Sequence, residues 1–178
     1  YWDSQVRIRQ PGYPHPEDSP HVPQAVIASQ IGPAPDPAGA MLWRRALEAA
    51  ERFTGLLLER QVPILAGSDV PCGAVTPGLS LWRELALLVK AGMTPTGALR
   101  SATVEAAQFL EQPALGRIRP GAMADLIGVR GDPTRSIPAD PQMTLVVRAG
   151  IRYAREALLE TAQTAEETLR AEPLGIQW

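Results

Sequence analysis

The sequence has few of the residues that build disulfides, zinc sites and nucleic-acid surfaces. Cys72 is the only cysteine among 178 residues, which excludes an internal disulfide framework and a cysteine-rich zinc site. Lys90 is the only lysine, against sixteen arginines. The net charge is −2 and no basic block occurs, so we expect no nucleic-acid partner. No apolar run approaches the ~20 residues that span a membrane, so we expect no membrane-spanning segment.

Histidine is also scarce, and both copies lie in a proline-rich region. His15 and His21 fall within residues 1–40, which hold eight of the eighteen prolines and favour extended or polyproline-like segments. Metal-binding histidines usually lie closer together on a rigid element, so a solvated loop is favoured over a ligand pair. The rest of the chain is apolar enough, at 45% overall, to bury a core.

Residues 62–69 are the stretch around which the sequence is organised. The apolar run of Ile64, Leu65 and Ala66 is closed by Gly67 and followed by Asp69, a pattern that predicts a buried parallel strand. In α/β folds, a polar residue at the carboxyl end of a strand is where chemistry takes place. From this stretch alone, capping of a turn by Asp69 is an equal alternative.

Apolar residues recur with a helical period on both sides of this stretch. From residue 115 onward the period of the apolar residues is closer to two, which is typical of strands. Apolar steps of three and four predict an amphipathic helix over 37–61. Ser80 as N-cap and Gly92 as stop bound a second helix, Thr94-Pro95 begins a third, and Thr103 caps a fourth. We predict β structure at 115–118, 124–129 and 145–153, the last a hairpin turning at Ala149-Gly150, and a polar helix over 155–170.

A series of short motifs runs through the same region in a fixed order and spacing. They are Gly67-Ser68-Asp69, Gly78-Leu79-Ser80-Leu81, Glu84-Leu85, Ala91-Gly92-Met93-Thr94-Pro95, Ala98-Leu99, Ala102-Thr103, Ala106-Ala107, Leu115-Gly116-Arg117-Ile118, Pro120-Gly121, Ala124-Asp125-Leu126 and Gly131-Asp132-Pro133. With these residues, roughly from 40 to 153, the chain resembles the C-terminal part of a metal-dependent amidohydrolase, in the imidazolonepropionase-like and Xaa-Pro-dipeptidase-like branch.

The resemblance implies an α/β fold, the C-terminal portion of a (β/α)8 barrel with strands of a small composite β-sandwich. Residues 1–112 would be barrel, with 62–69 its last strand; 113–153 would be sandwich strands, and 154–178 a C-terminal helix and tail. It also implies one or two divalent metals, usually zinc, which lower the pKa of a water that attacks an amide carbonyl. Asp69 would be both a metal ligand and the general base. The substrate would be a small amide or dipeptide, and the protein a homo-oligomer.

The chain departs from the family in its metal ligands. It has no His-X-His pair, and Lys90 lies on a helix after the last strand, where it cannot be the family's middle-strand lysine. A catalytic zinc needs about three protein ligands, and a complete barrel about 200 residues or more. We therefore expect a fragment of a hydrolase, inactive alone and prone to aggregation. The alternatives are a non-catalytic relative or a stand-alone α/β binding module.

Smaller departures concern single positions. Relatives often carry His where this chain has Trp82, for which we favour a packing role. Gly97 stands where they often have Glu, so the third helix lacks a capping box, at a cost of about 1 kcal/mol. The compartment stays open, because relatives occur in the cytoplasm, which is slightly favoured, and with export signals.

Overall fold

The computed structural model describes residues 37–69, 75, 78–138, 141–158, 160, 161 and 164. The two histidines, Cys72 and the proline-rich region before residue 37 lie outside the described residues, as do the predictions made for them. The predicted C-terminal helix is described in part, with residues 155–158, 160, 161 and 164 helical. No helix among these residues has both the length and the apolar content needed to cross a membrane.

The first helix, α1, spans Pro37–Glu59 and confirms the predicted amphipathic helix. It ends in a Schellman motif, because the N–H of Gln61 donates to Leu58 O at 2.9 Å and that of Val62 to Leu57 O at 3.0 Å. This motif requires a left-handed residue, and Gln61 supplies it with a φ of 57°. A side chain therefore stands where glycine is favoured.

Helix α2, Leu79–Lys90, begins two residues earlier than an N-cap at Ser80 would place it. The N-cap is Gly78, with a φ of 80° and no capping side chain, so the predicted N-cap role of Ser80 is wrong. Ser80 is instead buried within the first turn, which the left-handed glycine allows to start directly at Leu79. Gly92, with a φ of 116°, terminates the helix as predicted.

Two short helices follow, α3 at Pro95–Ser101 and α4 at Val104–Phe109. The predicted cap of α3 is confirmed, since Thr94 Oγ1 accepts a hydrogen bond from Gly97 N at 3.0 Å. Thr103 occupies the N-cap position of α4 but makes no capping bond there. Its hydroxyl donates to Leu99 O at 2.7 Å instead, which competes with capping, so that prediction is wrong in its mechanism.

The core lies between α2 and α3. Trp82, Leu85 and Leu88 of α2 form a buried cluster with Ala98 of α3. Only 5% of Trp82 is exposed, so the packing role favoured from the sequence is confirmed. Lys90, at the end of α2, pairs with Glu51 of α1 at 2.7 Å.

Residues 62–69 run from α1 onto this core. Ile64 and Ala66 pack against the cluster, with the two-residue spacing of a strand that buries one face. Ala66 N donates to Ser101 O at 3.4 Å. The stretch forms no β-ladder with any described residue. Its assignment as the last barrel strand stays a prediction.

The remaining strands form one antiparallel sheet in the order β1-β2-β3. They are β1 Leu126–Val129, β2 Met143–Arg148 and β3 Ile151–Tyr153. The β2–β3 hairpin is confirmed, with Val146 opposite Tyr153. Ala149 and Gly150 turn it with φ values of 49° and 80°, the two left-handed residues of a type I′ turn.

The carboxylate of Asp125, which lies just before β1, holds this turn by hydrogen bonds. Asp125 Oδ1 accepts from Ala149 N at 2.6 Å and Oδ2 accepts from Arg148 Nη1 at 3.1 Å. Gly150 N donates to Ala124 O at 3.0 Å. The turn is therefore bound to the chain just before β1.

The predicted strand at 115–118 is wrong. The residues form bends and irregular backbone, because Gly116 turns the chain with a φ of 70°. Ile118 is 90% exposed and pairs with none of the described strands. Gly116 lies directly against the start of α4, a contact that a side chain would block.

Candidate functional site

Asp69 lies at the end of the docked stretch 62–69, beyond the last residue that packs on the core. It is exposed, and its φ is 59°. Aspartate tolerates the left-handed region better than most residues, although the conformation still costs about 1 kcal/mol. Such strained positions concentrate at functional sites. The structure thus presents the carboxylate to solvent from a backbone that is fixed a few residues earlier.

A second carboxyl group contacts the same stretch. Glu84 of α2 is half-buried and lies near the backbone N–H of Gly67, two residues before Asp69. Burial raises the pKa of Glu84 above its ordinary value of 4.5, because desolvation penalises the charged form, and the nearby N–H of Gly67 partly opposes that rise. The end of 62–69 therefore lies close to the middle of α2.

The position of Glu84 on α2 is visible in the spacing of its neighbours in the sequence. Ser80, Glu84 and Leu88 are spaced by four residues, so they form one row along α2. Ser80 and Leu88 are buried, at 8% and 5% exposure. An acid on the core-facing row of a helix favours a polar neighbour, and the N–H of Gly67 lies near Glu84.

The described residues offer a divalent metal few donors close together. None of their histidine, cysteine, aspartate or glutamate side chains form a group of three or more that could hold an ion. A catalytic zinc takes about three protein ligands, so the described residues cannot form such a site alone. Asp69 fits as one ligand, since its carboxylate is exposed and hard oxygen donors suit divalent cations.

A surface pocket of about 370 Å³ lies elsewhere, beside α4. Neither Asp69 nor Glu84 lines it. Arg119 on its wall donates through Nη2 to Pro113 O at 2.9 Å, and so is used to hold its own loop. Acidic and basic side chains both line the pocket, namely Glu111, Arg117 and Arg119. Its wall is therefore not strongly charged with one sign.

Comparisons with known proteins cover most of this region. The sequence profile of the amidohydrolase family matches residues 46–161, well over half of the chain. Imidazolonepropionases of Anaeromyxobacter sp. (strain K) and Anaeromyxobacter dehalogenans (strain 2CP-1 / ATCC BAA-258) are each 46% identical to it over 72 residues. That match covers 40% of this chain and 17% of each relative.

Two crystal structures are among the solved structures similar to the chain. A Xaa-Pro dipeptidase with methionine bound in its active site superimposes with a TM-score of 0.57 at 26% identity, over 78% of this chain and 33% of that one. An amidohydrolase superimposes with a TM-score of 0.56 at 23% identity, over 75% and 33% respectively, and shows the fold alone. The chain thus spans a third of the length of these structures. The predicted resemblance and the predicted fold class, part of an α/β barrel, are confirmed.

Proposed function

This chain belongs to the amidohydrolase family, and on that premise we propose that its parent protein hydrolyses a carbon–nitrogen bond of a small amide, dipeptide or cyclic amide. The imidazolonepropionase and Xaa-Pro dipeptidase relatives support this substrate class. The observation that carries the proposal is the exposed Asp69 carboxylate, which follows directly on a stretch packed against the core.

Asp69 acts as the general base. One carboxylate oxygen takes a proton from the attacking water while the water oxygen bonds to the carbonyl carbon. The same carboxyl group then donates that proton to the nitrogen as the carbon–nitrogen bond breaks. The net reaction adds water across one bond and returns the carboxylate unchanged. An exposed carboxylate on a fixed backbone suits this role, because it can approach a substrate without rearrangement of the core.

A divalent metal, zinc being the usual one, is part of this proposal. Asp69 would be one ligand, and the remaining ligands would come from outside the described residues. When bound, the ion would polarise the carbonyl and acidify the water. We also expect a homo-oligomer, which the mass of the native protein would test.

The domain division is proposed in the same terms. Residues 1–112 belong to the barrel, with 62–69 as its last strand; 113–153 contribute to the small sandwich, and 154–178 form the C-terminal helix and tail. Supporting this, α1 exposes a row of large apolar side chains, with Leu42 67%, Phe53 62% and Leu56 48% exposed. An apolar row of this size is typical of a surface that another element covers.

The test is a substitution at Asp69 in the natural protein, purified and supplied with zinc, cobalt or manganese. Hydrolysis of a panel of dipeptides and cyclic amides is measured for the wild type and for Asp69→Asn. We expect kcat to fall by about 10²–10⁴-fold, the usual contribution of a general base. Asp132→Asn is the control, because an asparagine Oδ1 can replace the carboxylate oxygen that accepts from Thr134 N at 3.0 Å. An unchanged kcat in Asp69→Asn, or no hydrolysis by the wild type, would overturn the proposal.

A further inference from the structure

We propose that the pocket beside α4 binds a small zwitterion, a free α-amino acid or a short peptide, at a site separate from the proposed catalytic one. Arg117 and Arg119 bind the carboxylate of this ligand, and Glu111 binds its ammonium group. The inference does not rest on the proposed hydrolysis, because Asp69 does not line the pocket.

The first part of the case is that the pocket holds opposite charges that do not neutralise each other. Glu111 and Arg117 both line it, yet neither side chain makes a hydrogen bond or an ion pair with any residue that the structure describes. Arg119 uses Nη2 on Pro113 O and keeps the N–H donors of Nε and Nη1 for a ligand. A carboxylate and two guanidinium groups thus have charge-assisted hydrogen bonds to offer to the same bound molecule.

The mixture of charges sets the class of ligand. A ligand with only a negative charge is repelled by Glu111, and one with only a positive charge is repelled by the two arginines. A zwitterion pairs both kinds of charge. Gln108 and Gln112 add amide groups that both donate and accept, which suits a carboxylate, an ammonium group or a peptide bond. The volume of about 370 Å³ lies within the ~300–1,000 Å³ usual for small-molecule sites.

The first wall of the pocket is the end of α4, which hydrogen bonds fix in place. The helix ends in a Schellman motif, in which Glu111 N donates to Gln108 O at 3.0 Å and Gln112 N donates to Ala107 O at 2.8 Å. Ala107 is buried, so the motif is anchored in the protein. Glu111 is its left-handed residue, with a φ of 56°, at a position that favours glycine. The carboxylate therefore stands on a fixed backbone.

The second wall is the loop that carries the two arginines. Gly116 lies directly against the start of α4, so close backbone contact holds the loop there. Arg119 closes the loop through its bond to Pro113 O. Arg117 lies between these two fixed points. A pocket whose walls are formed in advance avoids the entropic cost of ordering them when a ligand binds.

Four probe ligands separate the two charges and the distance between them. L-leucine carries both charges, isocaproate lacks its ammonium group, and isoamylamine lacks its carboxylate. In δ-aminovalerate the charges are as far apart along the chain as in a dipeptide, but there is no amide bond to hydrolyse. Each is titrated into the natural protein by isothermal titration calorimetry. We expect saturable binding of L-leucine or δ-aminovalerate with a Kd below about 10 mM, and binding of both singly charged ligands that is at least about 10-fold weaker.

Two substitutions assign each charge of the ligand to its partner. Glu111 and Arg117 are exposed, so Glu111→Gln and Arg117→Gln should leave the fold intact. We expect each to weaken binding of the preferred zwitterion about 10- to 100-fold, the usual loss when one partner of a charged hydrogen bond is removed. Glu111→Gln should not weaken the binding of isocaproate, which has no ammonium group. Glu59→Gln and Arg152→Gln are the controls, since both residues are exposed and lie outside the pocket, and should leave Kd unchanged.

Three results overturn the inference. One is the absence of saturable binding of either zwitterion below about 10 mM. Another is binding that Glu111→Gln and Arg117→Gln leave unchanged, because the ligand is then held elsewhere, such as at the proposed catalytic site. The third is binding of isocaproate as tight as that of the zwitterions, which identifies a simple anion site. The comparison of ligands needs only the wild type, so it decides the matter even if a variant fails to fold. Preference for L-leucine identifies a free amino acid as the ligand, and preference for δ-aminovalerate a short peptide.

Discussion

Replacement of Gly116 by alanine tests the contact between the loop after α4 and the start of that helix. A Cβ at Gly116 would lie 2.5 Å from Thr103 O, 2.6 Å from Thr103 C and 2.8 Å from Val104 N. All three are backbone atoms, so no side-chain rotation relieves the overlap. Thr103 O also accepts from Ala107 N at 2.9 Å, and a shift would disturb this bond of α4.

Two terms set the expected cost of Gly116→Ala. The left-handed φ of 70° costs an alanine about 1–2 kcal/mol. The forced movement of packed backbone adds about 1–3 kcal/mol, as for other overpacked positions. We therefore expect a loss of about 2–5 kcal/mol, a large part of the ~5–15 kcal/mol that stabilises a typical domain.

Gly121→Ala is the matched control. Gly121 has a similar φ of 80°, but a Cβ there would meet nothing within 4 Å, so only the cost of about 1–2 kcal/mol remains. Urea unfolding of the two variants of the natural protein gives the difference from the transition midpoints at constant m-value. If Gly116→Ala is no less stable than Gly121→Ala, the close approach does not constrain the fold.

Three further changes have expected outcomes. Gln61→Gly should stabilise the protein by about 1 kcal/mol in urea unfolding, because it relieves a left-handed side chain at the end of α1. Thr94→Ala should cost about 1 kcal/mol, because Gly97 N loses its cap. The third change is Glu84→Gln, followed by urea unfolding across pH. Since burial raises the pKa of Glu84 above 4.5, its proton is held more tightly in the native state than in the unfolded state. Its contribution to the unfolding free energy is then full below pH 4.5 and is lost as pH rises through the raised pKa, a dependence that Glu84→Gln should remove.

Each of these has a comparison that can contradict it. Gly92 follows α2 at the same motif position that Gln61 occupies after α1, and its φ is 116°. Gly92→Ala is therefore the opposite change to Gln61→Gly and should destabilise the protein. Thr103→Ala should cost less than Thr94→Ala, because Thr103 makes no capping bond. A wild-type stability that rises with pH in the same way as that of Glu84→Gln would show that Glu84 titrates at its ordinary pKa.

The parts of the fold that the sequence predicted correctly are those set by local patterns. Apolar periodicity located α1, and Thr94-Pro95 located the start of α3, because both depend on residues within a few positions of each other. The Ala149-Gly150 turn was also found from local sequence. Asp69 was placed at the end of its stretch by the same reasoning.

The errors and omissions involve partners distant in sequence or a choice between close alternatives. The motif at 115–118 resembles a strand, but its path depends on the contact of Gly116 with Thr103. Ser80 is not the N-cap of α2 because the left-handed Gly78 takes that position. Thr103 does not cap α4 because its hydroxyl donates to Leu99 O instead. The proximity of Glu84 to Gly67 involves two elements that periodicity treats separately. No single-sequence pattern encodes such tertiary pairs.

The hydrogen bonds of Asp125 to the β2–β3 turn have a consequence for the order of folding. Alanine is a poor first residue for a type I′ turn, which favours Asn-Gly, so Ala149-Gly150 is a weak nucleus for a hairpin in isolation. The missing local preference is replaced by a bond from a residue 24 positions earlier. Such a bond forms only after a longer loop has closed, which slows the step. We therefore expect β2 and β3 to pair only once β1 has arrived, so that the three strands form together as one cooperative unit.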